Sequence, residues 1–327
     1  MPTFCRHNRL VENCPICSKT ASRVSSSPAR SVARREPRQA GDRPMRAPKR
    51  STTGGMTVRR MQRAVDDGYE QDLVPGLRSS VDAGRLADEL AFSAARLDEL
   101  SERPPGLYAE IAGAEDREEA AWLAFLIAFF SPLEDVEDPF AGIAAARTTW
   151  ASGEIPDLEG AQFGPRTAYD PKRGNAALIA YRAWASQRGG QVEALHGEES
   201  WTQQHRYDRA FERLGLPGFG RANRMEFLVL THRLGLVDLD PWTLHLSAAG
   251  PMDPVGLAAK RILGIGDPVL LQRRQRELAH AAGVPVEAVD LAFYNWAAAT
   301  PEARVTAGST AEADPDERSR IAGALGL

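Results

Sequence analysis

Apolar residues recur along this chain with the period of a helix and almost nowhere with the alternation of a strand. Leu86, Leu90, Ala94 and Leu97 fall on one face of a stretch that begins at Val81. A second helix is predicted from Asp116, with Glu119 three residues on as a capping box. It runs through Trp122, Phe125, Leu126 and Phe129 until Pro132 stops it. Further helices fit 136–149, 174–188, 202–213, 221–234 and 253–263. Residues 268–282 open on Asp267-Pro268 and close at Gly283, which is cap chemistry at both ends. A last helix, 285–298, carries Leu291, Phe293, Tyr294 and Trp296. The pattern predicts an all-α body over residues 56–300. A polar tail follows over 301–327, with a short helix from Asp316.

Charge divides the chain differently. Residues 1–63 hold 15 Lys and Arg against 3 Asp and Glu, a net +12, which leaves −16 for the rest. A basic arm on an acidic body suits either a polyanionic partner or a merely solvated tail. Residues 19–55 are rich in Ser, Pro, Arg and Gly and poor in large apolar residues, which predicts a flexible basic linker. Cys5, Arg6, His7 and Arg9 stand where a secretion signal would need apolar residues, so a cytoplasmic protein is expected. The longest apolar run, residues 122–130, is far too short to cross a bilayer, and no membrane partner is expected. No phosphate-binding loop is present, so no nucleotide cofactor is expected.

All three cysteines lie in the first 17 residues, which excludes a disulfide or a cysteine-held iron–sulfur cluster from the body. Cys5, His7, Cys14 and Cys17 together make a four-ligand set. Zinc favours four such ligands in a tetrahedron, and a C-x2-C pair supplies two thiolates from one turn. The spacing predicts a structural zinc knuckle over residues 1–18, with a redox C-x2-C pair as the alternative. A closed ligand set leaves no open position for catalysis.

The stretch 207–246 centres on Leu216-Pro217-Gly218-Phe219-Gly220 between two helical patterns. Such a hairpin presents backbone N–H groups at a helix start, where they can grip a phosphate, and glycines let the strand approach. An ordinary Pro-Gly turn between helices is the competing reading. Arg221 and Arg224 flank the hairpin and would neutralise phosphates, if they are not simply solvated. The stretch resembles the helix-hairpin-helix DNA glycosylase superfamily, in which a catalytic aspartate follows about twenty residues after the second glycine. That count from Gly220 reaches Asp240, with Asp238 as the neighbouring candidate. Lyase-competent members carry a lysine two residues after that glycine. Ala222 stands there, so the resemblance implies a monofunctional enzyme that uses water. The N-terminal Cys/His segment, the R-R-M-Q-R-A-V-D-D-G-Y stretch and S-P-L-E-D-V-E-D-P-F are similar to a narrower bacterial branch. This is the alpha-glutamyl/putrescinyl thymine pyrophosphorylase clade 3 family, tied to heavily modified bases in phage DNA.

The resemblance thus implies a glycosylase-like fold acting on DNA with modified bases, in the bacterial nucleoid and in defence against phages. Breaking an N-glycosidic bond builds positive charge on the sugar, which a carboxylate stabilises while it orients water. Asp240, or Asp238, would take that role, although Asp before Pro241 is also a common helix-starting cap. The extruded base needs aromatic walls. Trp242 and His245 just beyond the aspartate, with Trp122 and Phe130 on the early helix, are the candidate pocket; core packing is the rival account. Two alternatives stay open: group transfer at the pyrimidine 5-substituent, and a DNA-binding module without catalysis.

Overall fold

In the computed structural model, residues 64–298 and 303–327 are described; they belong to one unit within 58–327. The described chain is all-helical, with no strand. Its twelve α-helices are α1 Ser80–Glu102, α2 Gly106–Gly113, α3 Arg117–Phe130, α4 Ala141–Ala146, α5 Ala176–Ser186 and α6 Gln191–His196. The others are α7 Gln203–Arg213, α8 Arg221–Arg233, α9 Pro254–Ile262, α10 Pro268–Ala282, α11 Ala288–Trp296 and α12 Pro315–Ala324.

α3 sits at the centre because it has no polar face after its first turn. Every residue from 120 to 130 is buried. Asp116 caps it by accepting from the N–H groups of Glu118 (2.9 Å) and Glu119 (3.2 Å). The expected reciprocal box is absent, since Glu119 accepts instead from the N–H groups of Trp150 and Ala151. α3 packs on α2, α6 and α8, while α1 packs on α11, α12 and α8. Phe125 stacks on Tyr181 at 3.6 Å and meets Phe219 at 4.8 Å and Phe227 at 5.6 Å.

Three sequence expectations are corrected. The helix predicted over 136–149 shrinks to α4, because Asp138-Pro139 breaks it; the Asp138 carboxylate caps Phe140 N–H at 2.9 Å instead. α2 and α6 are additional, and Glu118 seeds α6 by accepting from Gln191 N–H (2.7 Å) and Val192 N–H (3.0 Å). The segment 303–327 is no tail. Val305, Ala307, Ile321 and Leu325 are buried in it, and Tyr69 Oη donates to Leu325 O.

Candidate functional site

The turn between α7 and α8 follows from its sequence. Phe219 N–H donates to Leu216 O at 3.1 Å, with Pro217 and Gly218 between them and Gly218 at φ +83°. That is a type II turn, in which proline fixes the first central residue and only glycine suits the second. Phe219 is buried against Phe125 and anchors the turn, a burial that stabilises by roughly 2 kcal/mol. Pro217 and Gly220 remain exposed, and Gly220 starts α8 with no side-chain cap.

The two flanking arginines behave differently from expectation. The Arg221 guanidinium is 1% exposed and donates to Asp253 Oδ2 (2.7 Å), Asp290 Oδ1 (2.7 Å) and Leu244 O (3.1 Å). A group enclosed in this way holds the fold together and does not meet a phosphate. Arg224 is partly exposed; it donates to Phe211 O (3.2 Å) and lies over the Phe211 ring at 4.3 Å. Arg221 belongs to a buried chain of charges. Arg96 pairs with Glu226, Glu226 with Arg166 (3.3 Å), Arg166 with Asp290 (2.5 Å), and Asp290 with Arg221. Burial alone would raise the Asp290 carboxyl, but Arg221 and Arg166 outweigh it and hold the group below its ordinary range.

The aspartates lie at the opposite end of α7 from the turn. Asp240 N–H donates to Gln203 O at 3.4 Å, and its carboxylate accepts from Gln204 Nε2 at 2.9 Å. Asp238 is exposed and accepts from Gln203 Nε2 at 2.8 and 2.9 Å. The 11 residues of α7 therefore put about 16 Å between the turn and Asp240. The residue count thus leads to an aspartate that stands at a distance from the turn. Asp240 nevertheless lines a cavity of about 740 Å³ with Trp242, His232, Arg233, Arg276 and Glu287.

The other expected pocket residues disperse. Phe130 is fully buried and stacks on Phe163 at 5.1 Å. Trp122 faces a different cavity, of about 370 Å³, with Glu110, Glu119 and Arg147, and its Nε1 donates to Thr148 O. His245 stacks on Phe211 at 3.8 Å in the left-handed conformation (φ 48°, ψ 43°). Its Nε2 lies 3.3 Å from Asp208 Oδ1 but makes no hydrogen bond; that oxygen accepts from Trp242 Nε1 (3.1 Å). Burial, followed by the positive fields of Arg224 and Arg221, lowers the imidazole to about 4. A histidine depressed in the fold stabilises it above the unfolded value of 6.5, and that contribution is lost as pH falls toward 4. Wild type is expected to lose on the order of 2 kcal/mol more than His245→Asn between pH 7 and 5. Parallel urea midpoints at the two pH values would disprove this. Asparagine is chosen because it does not titrate and tolerates the left-handed region.

A second polar site escaped the sequence. Ser131, Arg166, Ala222, Asn223, Glu226 and Ala307 are among the residues that line a void of about 10 Å³, room for one water at most. Ser131 (φ 61°) and Ala307 (φ 52°) are two of the four described non-glycine residues with positive φ, each a strain of about 1–3 kcal/mol. Asn223 Nδ2 donates to Ala128 O (3.1 Å) and Arg166 O (2.8 Å). No local motif marks these residues, because the contacts that join them, such as Ser131 to Arg166 and Asn223 to Arg166, span 35 and 57 positions of the chain.

Among the described residues no group of His, Cys, Asp or Glu is placed to hold a metal ion, and no helix is long and apolar enough to cross a membrane. The zinc-knuckle residues Cys5, His7, Cys14 and Cys17, and the basic linker, lie outside the described residues. No protein-family model matches the chain, and no curated protein or solved structure is significantly similar to it.

Proposed function

We propose that this chain is a DNA-acting N-glycosyl hydrolase that removes a bulky, modified pyrimidine, with Asp240 as the carboxylate beside the reacting sugar carbon. One observation carries the reading: Asp240 and Trp242 share a cavity of about 740 Å³. That size suits a decorated base, since ligand pockets run from about 300 to 1,000 Å³. The Asp240 carboxylate is bonded to the Gln204 amide and takes part in no ion pair among the described residues. It is therefore available to face a developing oxocarbenium ion and to orient water. Water attacks the anomeric carbon and the base departs with a proton. Trp242 offers a stacking face for the extruded base. The exposed start of α8 at Gly220 grips the strand at a distance, and the +12 arm adds non-specific attraction. Defence against phages that decorate their DNA is the biological setting.

Group transfer at the pyrimidine 5-substituent is the rival that the same assay tests. Incubating the protein with modified phage DNA and with plain DNA separates the readings. Abasic sites in the modified DNA support excision; altered nucleosides without abasic sites support transfer; salt-sensitive binding without product leaves a binding module. For the knuckle, Cys14→Ser is expected to release a bound zinc while the circular dichroism of the helical body stays unchanged. Wild-type protein that carries no zinc would end that expectation.

A further inference from the structure

The turn and the Asp240 cavity stand at the two ends of α7, and the segment after Asp240 runs beside that helix from one to the other. The contacts follow in order. Gln204 Nε2 holds Asp240 at 2.9 Å, and Trp242 Nε1 donates to Asp208 at 3.1 Å. Tyr207 Oη donates to Thr243 O at 2.7 Å, and the His245 ring lies on Phe211 at 3.8 Å. Arg224 covers the same Phe211 ring at 4.3 Å, and its Nε donates to Gly220 O at 3.5 Å. Planar groups therefore succeed one another along α7. Arg276 lies over Trp242 at 4.9 Å, then comes His245 on Phe211, then Arg224 at the turn. Trp242, His245 and Arg224 are each partly exposed. Neither Arg224 nor Arg276 has a carboxylate partner among the described residues; their donors reach backbone carbonyls instead. The neighbouring acids are engaged, Asp208 by Trp242 and Glu212 by Arg209.

Two features mark this row as more than packing. His245 holds a left-handed backbone that non-glycine residues seldom adopt, and its Nε2 is buried without a hydrogen bond. Strain and an unsatisfied polar atom at one residue are costs that packing alone does not repay. The spacing is also informative. About 16 Å of α7 corresponds to roughly five stacked nucleotides at 3.4 Å each.

We infer that the row Arg224, Trp242 and Arg276, with His245 packed on Phe211 and Tyr207 beneath it, is a track for an unpaired nucleic-acid strand, held by its backbone at the 216–220 turn and stacking bases toward the Asp240 cavity. The inference rests on the proposed DNA substrate and adds its form. In a duplex the base faces are already stacked on one another, so they cannot meet these rings. A single strand can, and arginine beside an aromatic ring is the sequence-tolerant way to hold one.

The test uses the full chain and fluorescence anisotropy with labelled thymidylate oligomers at fixed salt. An octanucleotide, which spans the track, is expected to bind about tenfold more tightly than a trinucleotide, and about tenfold more tightly than a duplex of its own length. Trp242→Ala is expected to abolish the length-dependent gain and Trp242→Phe to restore most of it. Attraction by the basic arm is common to all variants, so the ratios isolate the track. Equal affinity for duplex and single strand, or an undiminished gain in Trp242→Ala, would overturn the inference. If duplex is also the form that is excised, the hydrolase reading stands alone. If no nucleic acid binds, both fall.

Discussion

Asp240→Asn is expected to lower base release from modified DNA by at least about a hundredfold, the scale of losing one positioned acid–base group. DNA affinity should stay within about twofold of wild type, because the turn and the half-exposed arginines are untouched. The substitution keeps the shape and the Gln204 contact, so a drop in rate reports the lost charge and not a collapsed cavity. Asp238→Asn is expected to leave the rate nearly unchanged, since Asp238 is exposed and held by Gln203. Quantifying abasic sites in single-turnover reactions decides between them. Full activity in Asp240→Asn would remove the proposed centre.

The second large effect concerns stability. Asp290 is 5% exposed and is shared by Arg166 and Arg221, so Asp290→Ala strands two buried guanidinium groups at once. Breaking one partner out of a buried ion set typically costs about 3–5 kcal/mol, because the remaining charge is desolvated without compensation. A urea titration of Asp290→Ala at pH 7 is expected to show a loss of that size. A loss below about 1 kcal/mol would mean that water reaches the arginines. Asp290→Asn keeps one acceptor but turns the other into an amide N–H facing an arginine donor, so it should lose nearly as much.

The contrast between these sites shows what the residue order could and could not convey. Period and caps placed the long helices well, because the signals that make them are local. Asp267-Pro268 and Gly283 bound α10 at the expected residues. α6 has only six residues, and what starts it is a carboxylate 73 positions earlier, so nothing local announced it. The count from the turn to Asp240 could not convey distance, for a similar reason. Residues 221–240 lead the chain along α8 to the far end of α7, so twenty positions of sequence became about 16 Å of space. Arg221 next to a glycine turn reads as a phosphate ligand until Asp253 and Asp290 are seen to enclose it, 32 and 69 residues onward. Asp240 and Trp242 are neighbours in sequence, and their shared cavity was the part of the site that local reasoning could reach.

The pairing of α1 with α11 and α12 bears on how the protein is made. Buried residues of α1 include Leu86, Leu90 and Leu97, and the segments that cover this helix begin about 200 positions later, where Trp296 Nε1 donates to Asp82 O. During synthesis that apolar stripe leaves the ribosome 214 residues ahead of the tryptophan that covers it. Closure over so long a loop is slow, and an uncovered stripe is an invitation to aggregation and to chaperones in the interval.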